Sequence, residues 1–220
     1  MEDFIQAIFW NGDVNKYFLG HQFEEIFKSR IYAPYLENKK DSVVLDIGAH
    51  IGIFTLYAYE YSKRIYAVEP SLEHFDLLVR MISHNKMINV VPIRKAIYIE
   101  NKKLPFGGPD SNKTMRSLHT AIWQEGKPRE TVEAITLDTL FKDNNIEHID
   151  LMKLDVEGSE YEILAGEGFR KVADKIDVIV GETHSWADRH PNQLRESLKS
   201  NGFKVETIKH DANLFVATKI

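Results

Sequence analysis

The stretch Val43 to Ala58, VVLDIGAHIGIFTLYA, decides the fold of this 220-residue chain. Its first residues, with Ser42 ahead of them, read as a strand buried on both faces. An unbroken apolar run of this kind belongs to a parallel sheet covered by helices, whereas a half-exposed strand alternates. The strand ends near Asp46, glycines follow at positions 48 and 52, and a helix begins. Such a turn lets backbone approach a ligand closely, with helical N–H groups facing it. The spacing Asp-x-Gly-x-x-x-Gly is neither the Gly-x-Gly-x-x-Gly of dinucleotide binders nor the Gly-x-x-x-x-Gly-Lys of phosphate loops. Asp46 at the strand end suits a cationic or amino-acid group and would oppose a pyrophosphate.

Outward from that turn, similar short apolar runs recur at Arg64 to Glu69, Ile149 to Asp155 and Ile176 to Glu182. Helical segments separate them. Between Leu72 and Asn85, apolar residues at Leu72, Phe75, Leu78, Val79 and Ile82 form one stripe, and Ser71 is placed to cap it. Ser159 with Glu162 three residues later has the pattern of a capping box, opening a helix through about Leu164. Pro191 and Gly202 suit the start and stop of another helix. Alternation of strand and helix predicts a doubly wound α/β domain. Val90 to Ile97 reads as a strand that Pro92 confines to a sheet edge. Residues 97–135 read as a turn-rich excursion with short strands over the ligand crevice, and Phe203 to His210 with Ala212 to Thr218 as a terminal hairpin. The expected organisation is a helical cap over residues 1–40, with Phe4, Ile5, Ile8 and Phe9 on one face, and a single domain over 41–220.

Composition narrows the function. The balance of 28 basic against 33 acidic residues gives a formal charge of −5, so nucleic acid is not an expected partner. The absence of cysteine excludes a disulfide framework, a zinc ribbon and a thiol nucleophile. The opening MEDFIQAIFW carries acids where a secretory leader needs base, and no apolar run approaches the ~18 residues of a membrane span. A cytoplasmic location is therefore expected, and the sequon Asn112-Lys113-Thr114 is expected to stay unmodified.

Three further groups carry chemistry. Glu69 ends the second strand in YAVEPS, and an acid about 20 residues beyond a glycine turn can chelate a ribose diol. Lys153, Asp155, Glu157 and Glu160 crowd the carboxyl end of a central strand, the edge where open α/β sheets bind ligands. Glu160 and Glu162 also favour a helix N-terminus electrostatically. Glu182 and His184 leave another strand, and their two-residue spacing puts them on one side of an extended segment. His184 is a natural proton acceptor near neutrality.

The combination of LDIGAHIGIFTLYA, AVEP, AITLDTLF, IDLMKLDVEGSEYEIL and VIVGETH resembles the FkbM-type family of S-adenosylmethionine-dependent methyltransferases, from about residue 40 to residue 186. The resemblance implies an α/β, Rossmann-like, doubly wound seven-stranded sheet of class I methyltransferases, its last strand antiparallel. It also implies methylation of a hydroxyl, often on a sugar or other small metabolite. Under it, Asp46, Gly48, Ala49 and Gly52 hold the methionine part of the donor and Glu69 the ribose. Pro70, Ser71, Lys95 and Ala96 surround the adenine, and Asp155 belongs to both the donor and the catalytic set. His50 departs from the family pattern, which usually has Asn there; it sits beside the donor or caps the turn. No clear acid follows the edge strand to accept from the adenine amino group.

An alcohol must lose its proton as it attacks a methyl group, and a positioned base contributes about 10²–10⁴-fold. His184 or Glu157 is the candidate base, with Asp155 or Glu182 orienting it. Alternatively, Asp155, Glu157, Glu182 and His184 hold a divalent ion, magnesium or manganese, that lowers the hydroxyl pKa. The metal is the less favoured reading, because acids beside a cationic cofactor need no ion. The acceptor is expected to be a small molecule or glycan, read by the first 40 residues and the excursion, including Tyr17, His21, Arg116, His119 and Trp123. Methylation of RNA or protein, and a non-catalytic binding module of the same fold, are the competing functions. The sequence leaves the oligomeric state open.

Overall fold

Consecutive residues of a strand project to opposite faces of its sheet, and here both faces are buried. Val44, Leu151, Val178, Val180 and Val216 enter one apolar cluster, while their neighbours Leu45, Met152, Ile179, Phe215 and Ala217 enter another. The strands are β1 (Ser42–Ile47), β2 (Ser62–Val68), β3 (Val90–Ile93), β4 (Ala96–Ile97), β5 (Lys102–Phe106), β6 (Glu130–Ile135), β7 (Ile149–Leu154), β8 (Ile176–Glu182), β9 (Phe203–Thr207) and β10 (Leu214–Lys219). The helices are α1 (Ala33–Leu36), α2 (Ile53–Tyr59), α3 (Leu72–His84), α4 (Leu137–Asp143), α5 (Glu160–Ala165), α6 (Glu167–Arg170) and α7 (Pro191–Ser200), with a π-helical turn over Glu24–Lys28. The computed structural model describes residues 24–37, 39–108, 117–118, 128–184, 191–208 and 212–220. Phe4, Ile5, Ile8, Phe9, Tyr17, His21, the sequon at 112–114, Arg116, His119 and Trp123 lie outside the described residues.

The main sheet has seven strands in the order β3-β2-β1-β7-β8-β10-β9. β1 is parallel to both β2 and β7, β7 is parallel to β8, and β10 runs antiparallel to β8 and β9. The final strand is thus inserted, antiparallel, between β8 and β9, which is the doubly wound class I methyltransferase sheet. Residues of α2 and α3 cover the first apolar face, and residues of α4 to α7 the second. β3, with Pro92, stands at the sheet edge, where a missing N–H leaves no ladder bond unmade. The chain then leaves the main sheet: β4, β6 and β5 form a second, three-stranded sheet with its own small core of Ala96, Phe106, Val132 and Ala134.

Helix starts agree with expectation in one case and not in another. Ser71 caps α3, its side chain accepting from the His74 N–H. Ser159 precedes α5 but makes no capping bond from its side chain, so the expected capping box is absent. The reason is local: Glu160 accepts from the N–H groups of Val156 and Gly158, so the approach to the helix is fixed by that carboxylate instead. Among the described residues, no helix is long and apolar enough to cross a membrane.

Candidate active site

The carboxyl ends of β1, β2 and β7 meet at the glycine turn. Gly48, His50 and Gly52 all have positive φ, at 79°, 53° and 97°, so the chain reverses tightly before α2. A Cβ on Gly48 would stand 1.7 Å from the Asp155 carbonyl oxygen. Glycine is therefore required where the β1 and β7 exits touch. The N–H groups of Gly48 and Ala49 both donate to the Val68 carbonyl, and that of His50 donates to Glu69 at 2.8 Å. The turn shapes the site with its backbone and spends the amides of Gly48 and Ala49 on the neighbouring strand.

Beneath the turn, Asp46 is fully buried and accepts from the Thr55 hydroxyl at 2.6 Å. Lys153 lies 3.6 Å from Asp46 and 3.4 Å from Asp155, and donates to the Gly48 carbonyl at 3.0 Å. Burial alone would lower the Lys153 pKa, yet the charges of Asp155 and Asp46 raise it above the usual lysine value. Lys153 thus ties together the exits of β1 and β7. Thr55→Val keeps the shape and removes the bond to Asp46; it is expected to lower stability by about 1–3 kcal/mol, read as a reduced denaturation midpoint.

Two adjoining cavities flank the turn. The first encloses about 620 Å³ of empty space including its mouth, and is lined by Gly48, His50, Glu69, Pro70, Lys95, Ala96, Asp155 and Glu157 with the apolar Ile97, Phe106 and Leu118. The second, about 470 Å³, shares Gly48, His50 and Asp155 and adds Ala49 and Glu182. The expected site residues are therefore largely brought together, with four exceptions. Asp46 sits behind the wall, Gly52 caps α2, Ser71 caps α3 and His184 is held among acids; none of the four lines either cavity. Glu69 is buried, accepting from His50 and Ser71 N–H groups and lying 3.7 Å from His74. Lys95, at the turn after β3, pairs with Glu133 of the second sheet.

His184 and the acids converge behind Asp155. Its Nδ1 is 2.9 Å from Glu160 and its Nε2 is 3.4 Å from Glu157. Burial lowers the His184 pKa, but the hydrogen bond and charge of Glu160, with Glu157 and Asp155 behind them, raise it to about 10. Burial, reinforced by Asp155, pushes Glu157 up to about 8 against the pull of His184. Glu157 also has φ of 54°, a left-handed conformation that costs a non-glycine residue about 1–3 kcal/mol and gathers at functional sites. The Ser117 hydroxyl donates to its carbonyl, joining the excursion to the site. Glu160 thus holds one nitrogen of His184 and Glu157 faces the other. Sequence reasoning assigned Glu160 to the helix dipole and passed over His74, Phe106 and Leu118. Only Glu160 carried a signal, its place in the acidic run.

A family model described as the Methyltransferase FkbM domain matches residues 46–205. The 31-O-demethyl-FK506 methyltransferase FkbM of Streptomyces tacrolimicus is 26% identical, over 90% of this chain and 86% of the relative. The hexuronic acid methyltransferase AglP of Haloferax volcanii is 24% identical, over 79% of this chain and 68% of the relative. In fold, the chain is similar to SMU.1697c of Streptococcus mutans, solved in complex with SAH, with a TM-score of 0.56 at 11% identity, covering 87% of this chain and 97% of that one. With the matched region spanning the glycine turn, Glu69 and the acidic exit of β7, the chain belongs to the FkbM-domain methyltransferase family.

Proposed function

We propose that the protein uses S-adenosylmethionine to methylate a hydroxyl of a sugar or other small metabolite. The carrying observation is Glu69, a buried carboxylate on the wall of the first cavity. A carboxylate offers about four acceptor positions, and the two N–H bonds it receives leave room for the two hydroxyls of a ribose. The surrounding donor set also fits: Asp155 and Glu157 line the cavity and suit a cationic sulfonium, while Ile97, Phe106 and Leu118 offer an apolar slot for adenine beside Pro70, Lys95 and Ala96. Gly48, Ala49 and His50 would meet the methionine end. SAH in a protein of the same fold supports this donor, and the names of the two relatives support small-molecule or sugar acceptors.

When bound, held by Glu69 and by Gly48, Ala49 and His50, the donor would supply a methyl on a sulfonium that the acceptor oxygen could take, the carbon–sulfur electron pair being left on sulfur. Holding the acceptor in line supplies much of the rate. Glu157 is the base that takes the hydroxyl proton: it lines the first cavity and ionises above about pH 8, whereas His184, raised to about 10 and held by Glu160, lines neither cavity. Asp155 adds negative charge at the junction of the two cavities. Asp46 acts indirectly, through Lys153 and the Gly48 carbonyl.

A second reading rests on one observation: ligand atoms of Asp155, Glu157 and His184 lie within 4.8 Å of one another, close enough for a divalent ion. Activity that survives exhaustive chelation removes it.

Calorimetry tests the donor. S-adenosylmethionine is expected to bind at one site and NAD not to bind, and Glu69→Gln to weaken the donor by about tenfold or more, through loss of a charge-assisted hydrogen bond. Binding of NAD alone would sink the reading. Donor binding without turnover on any hydroxyl acceptor would favour the non-catalytic module.

A further inference from the structure

His50, the turn residue that departs from the family pattern, has a ring partner. Its imidazole meets that of His74 edge to face, with centroids 4.2 Å apart and planes at 77°. Both residues line the first cavity beside Glu69. His74 lies in the first turn of α3 and is buried, with 1% of its surface exposed. Its Nδ1 stands 3.7 Å from Oε1 of Glu69, the oxygen that also accepts from the Ser71 N–H at 2.9 Å. The other oxygen, Oε2, accepts from the His50 N–H at 2.8 Å. Ser71 completes the circuit, because its hydroxyl accepts from the His74 N–H. Histidine is among the few residues that tolerate the left-handed φ of 53° at position 50, so ring and amide can both serve there. Three elements thus converge on one carboxylate: the glycine turn, the end of β2 and the start of α3.

We propose that His50 and His74 are a positioning pair for Glu69, fixing its carboxylate to take both hydroxyls of a ribose and so selecting a ribonucleoside donor over a 2′-deoxy one. The proposal rests on the donor reading above and deepens it. A glutamate side chain is rich in rotamers, and a ligand that must freeze them loses affinity. Here the two backbone N–H bonds place the carboxylate oxygens, and the His74 ring faces one of them from α3. The His50 ring holds His74 in turn, in a geometry that aromatic pairs favour. Polar contacts in an empty site are often long and tighten in the complex, so the 3.7 Å gap is expected to close when a diol binds. His74 acts through Glu69 and not on the methyl group. A site built to pair with a hydroxyl rejects the analogue that lacks it, because its buried polar group then goes unmatched.

The test titrates the intact protein with SAH and with its 2′-deoxyadenosyl analogue, and reads the ratio of the two affinities. The wild type is expected to prefer SAH by about tenfold or more. His74→Phe keeps an aromatic ring against His50 but presents no nitrogen to Glu69, and should cut that ratio by at least about threefold. His74→Asn, which keeps an N–H donor near the Nδ1 position, should retain it. A merely structural role would weaken both compounds alike, so an unchanged ratio in His74→Phe overturns the proposal. An asparagine variant as indifferent as the phenylalanine one overturns it too. If the phenylalanine chain does not fold, wild-type protein carrying ¹⁵N-histidine decides the matter. Its His74 Nδ1 resonance should move further with SAH than with the deoxy compound, and equal movement overturns the proposal. Failure of SAH to bind the wild type strikes the donor reading and the proposal with it. SAH binding without discrimination between the two compounds strikes the proposal and leaves the donor in place.

Discussion

Replacing Glu157 with glutamine is expected to lower kcat by about 10²–10⁴-fold while S-adenosylmethionine still binds. Glutamine keeps the size of the side chain and its place in the cavity wall but cannot take a proton. Glu157 has the properties a base needs. It lines the first cavity, and burial with the Asp155 charge holds its pKa at about 8, near the working range for proton abstraction. The pH dependence follows from the same values. Glu157 accepts a proton only when ionised, so activity should rise as pH increases through about 8. His184 stays protonated to about 10 and, while charged, favours the ionised Glu157. The expected profile of kcat/KM therefore rises through about pH 8 and levels off above it. A glutamine variant with wild-type turnover, or one that keeps the rising limb, would move the role elsewhere.

Glu160→Ala is expected to be the most destabilising single change at the site, by about 3–5 kcal/mol, because it leaves a buried charge without its partner. Glu160 is fully buried and accepts from the N–H groups of Val156 and Gly158 as well as from His184. Truncation strands two backbone donors and an imidazolium together. The pH dependence of stability distinguishes this from a simple cavity. In the folded protein the His184 pKa is raised from 6.5 to about 10. Its contribution to stability is thus fully present below pH 6.5 and lost as pH rises through 10. The alanine variant should lose most of that slope, measured as denaturation midpoints across the range. A variant with unchanged midpoint and unchanged slope would remove Glu160 from its positioning role.

The sheet was legible because its strands announce themselves. Val43 to Leu45 and Val178 to Val180 are apolar without alternation, which only a strand covered on both faces requires, and Pro92 marked the edge correctly. The first cavity was legible for a related reason: its wall is built from strand ends whose positions follow once the strands are placed. Gly48, Glu69, Lys95 and Asp155 all arrive there. What escaped were choices made by side-chain direction and tertiary contact. Lys153 alternates inward and meets Asp46 from a strand over a hundred residues away, which no local pattern encodes. Ser159 and Glu162 have the spacing of a capping box, yet Ser159 makes no capping bond and it is Glu160 that accepts from Val156 and Gly158. The contact of Glu160 with His184 escaped, because that carboxylate belongs to a helix 24 residues earlier in the chain. Phe106 and Leu118 come from the excursion, whose return to the crevice depends on the second sheet.

The most direct measurement is a crystal structure of the protein with SAH. The account predicts the ribose hydroxyls on the Glu69 carboxylate, the adenine between Pro70, Ala96 and Phe106, and the sulfur at the wall shared by the two cavities beside Gly48, His50 and Asp155. SAH lying away from Glu69, or with its sulfur turned from the Asp155 side, would contradict it.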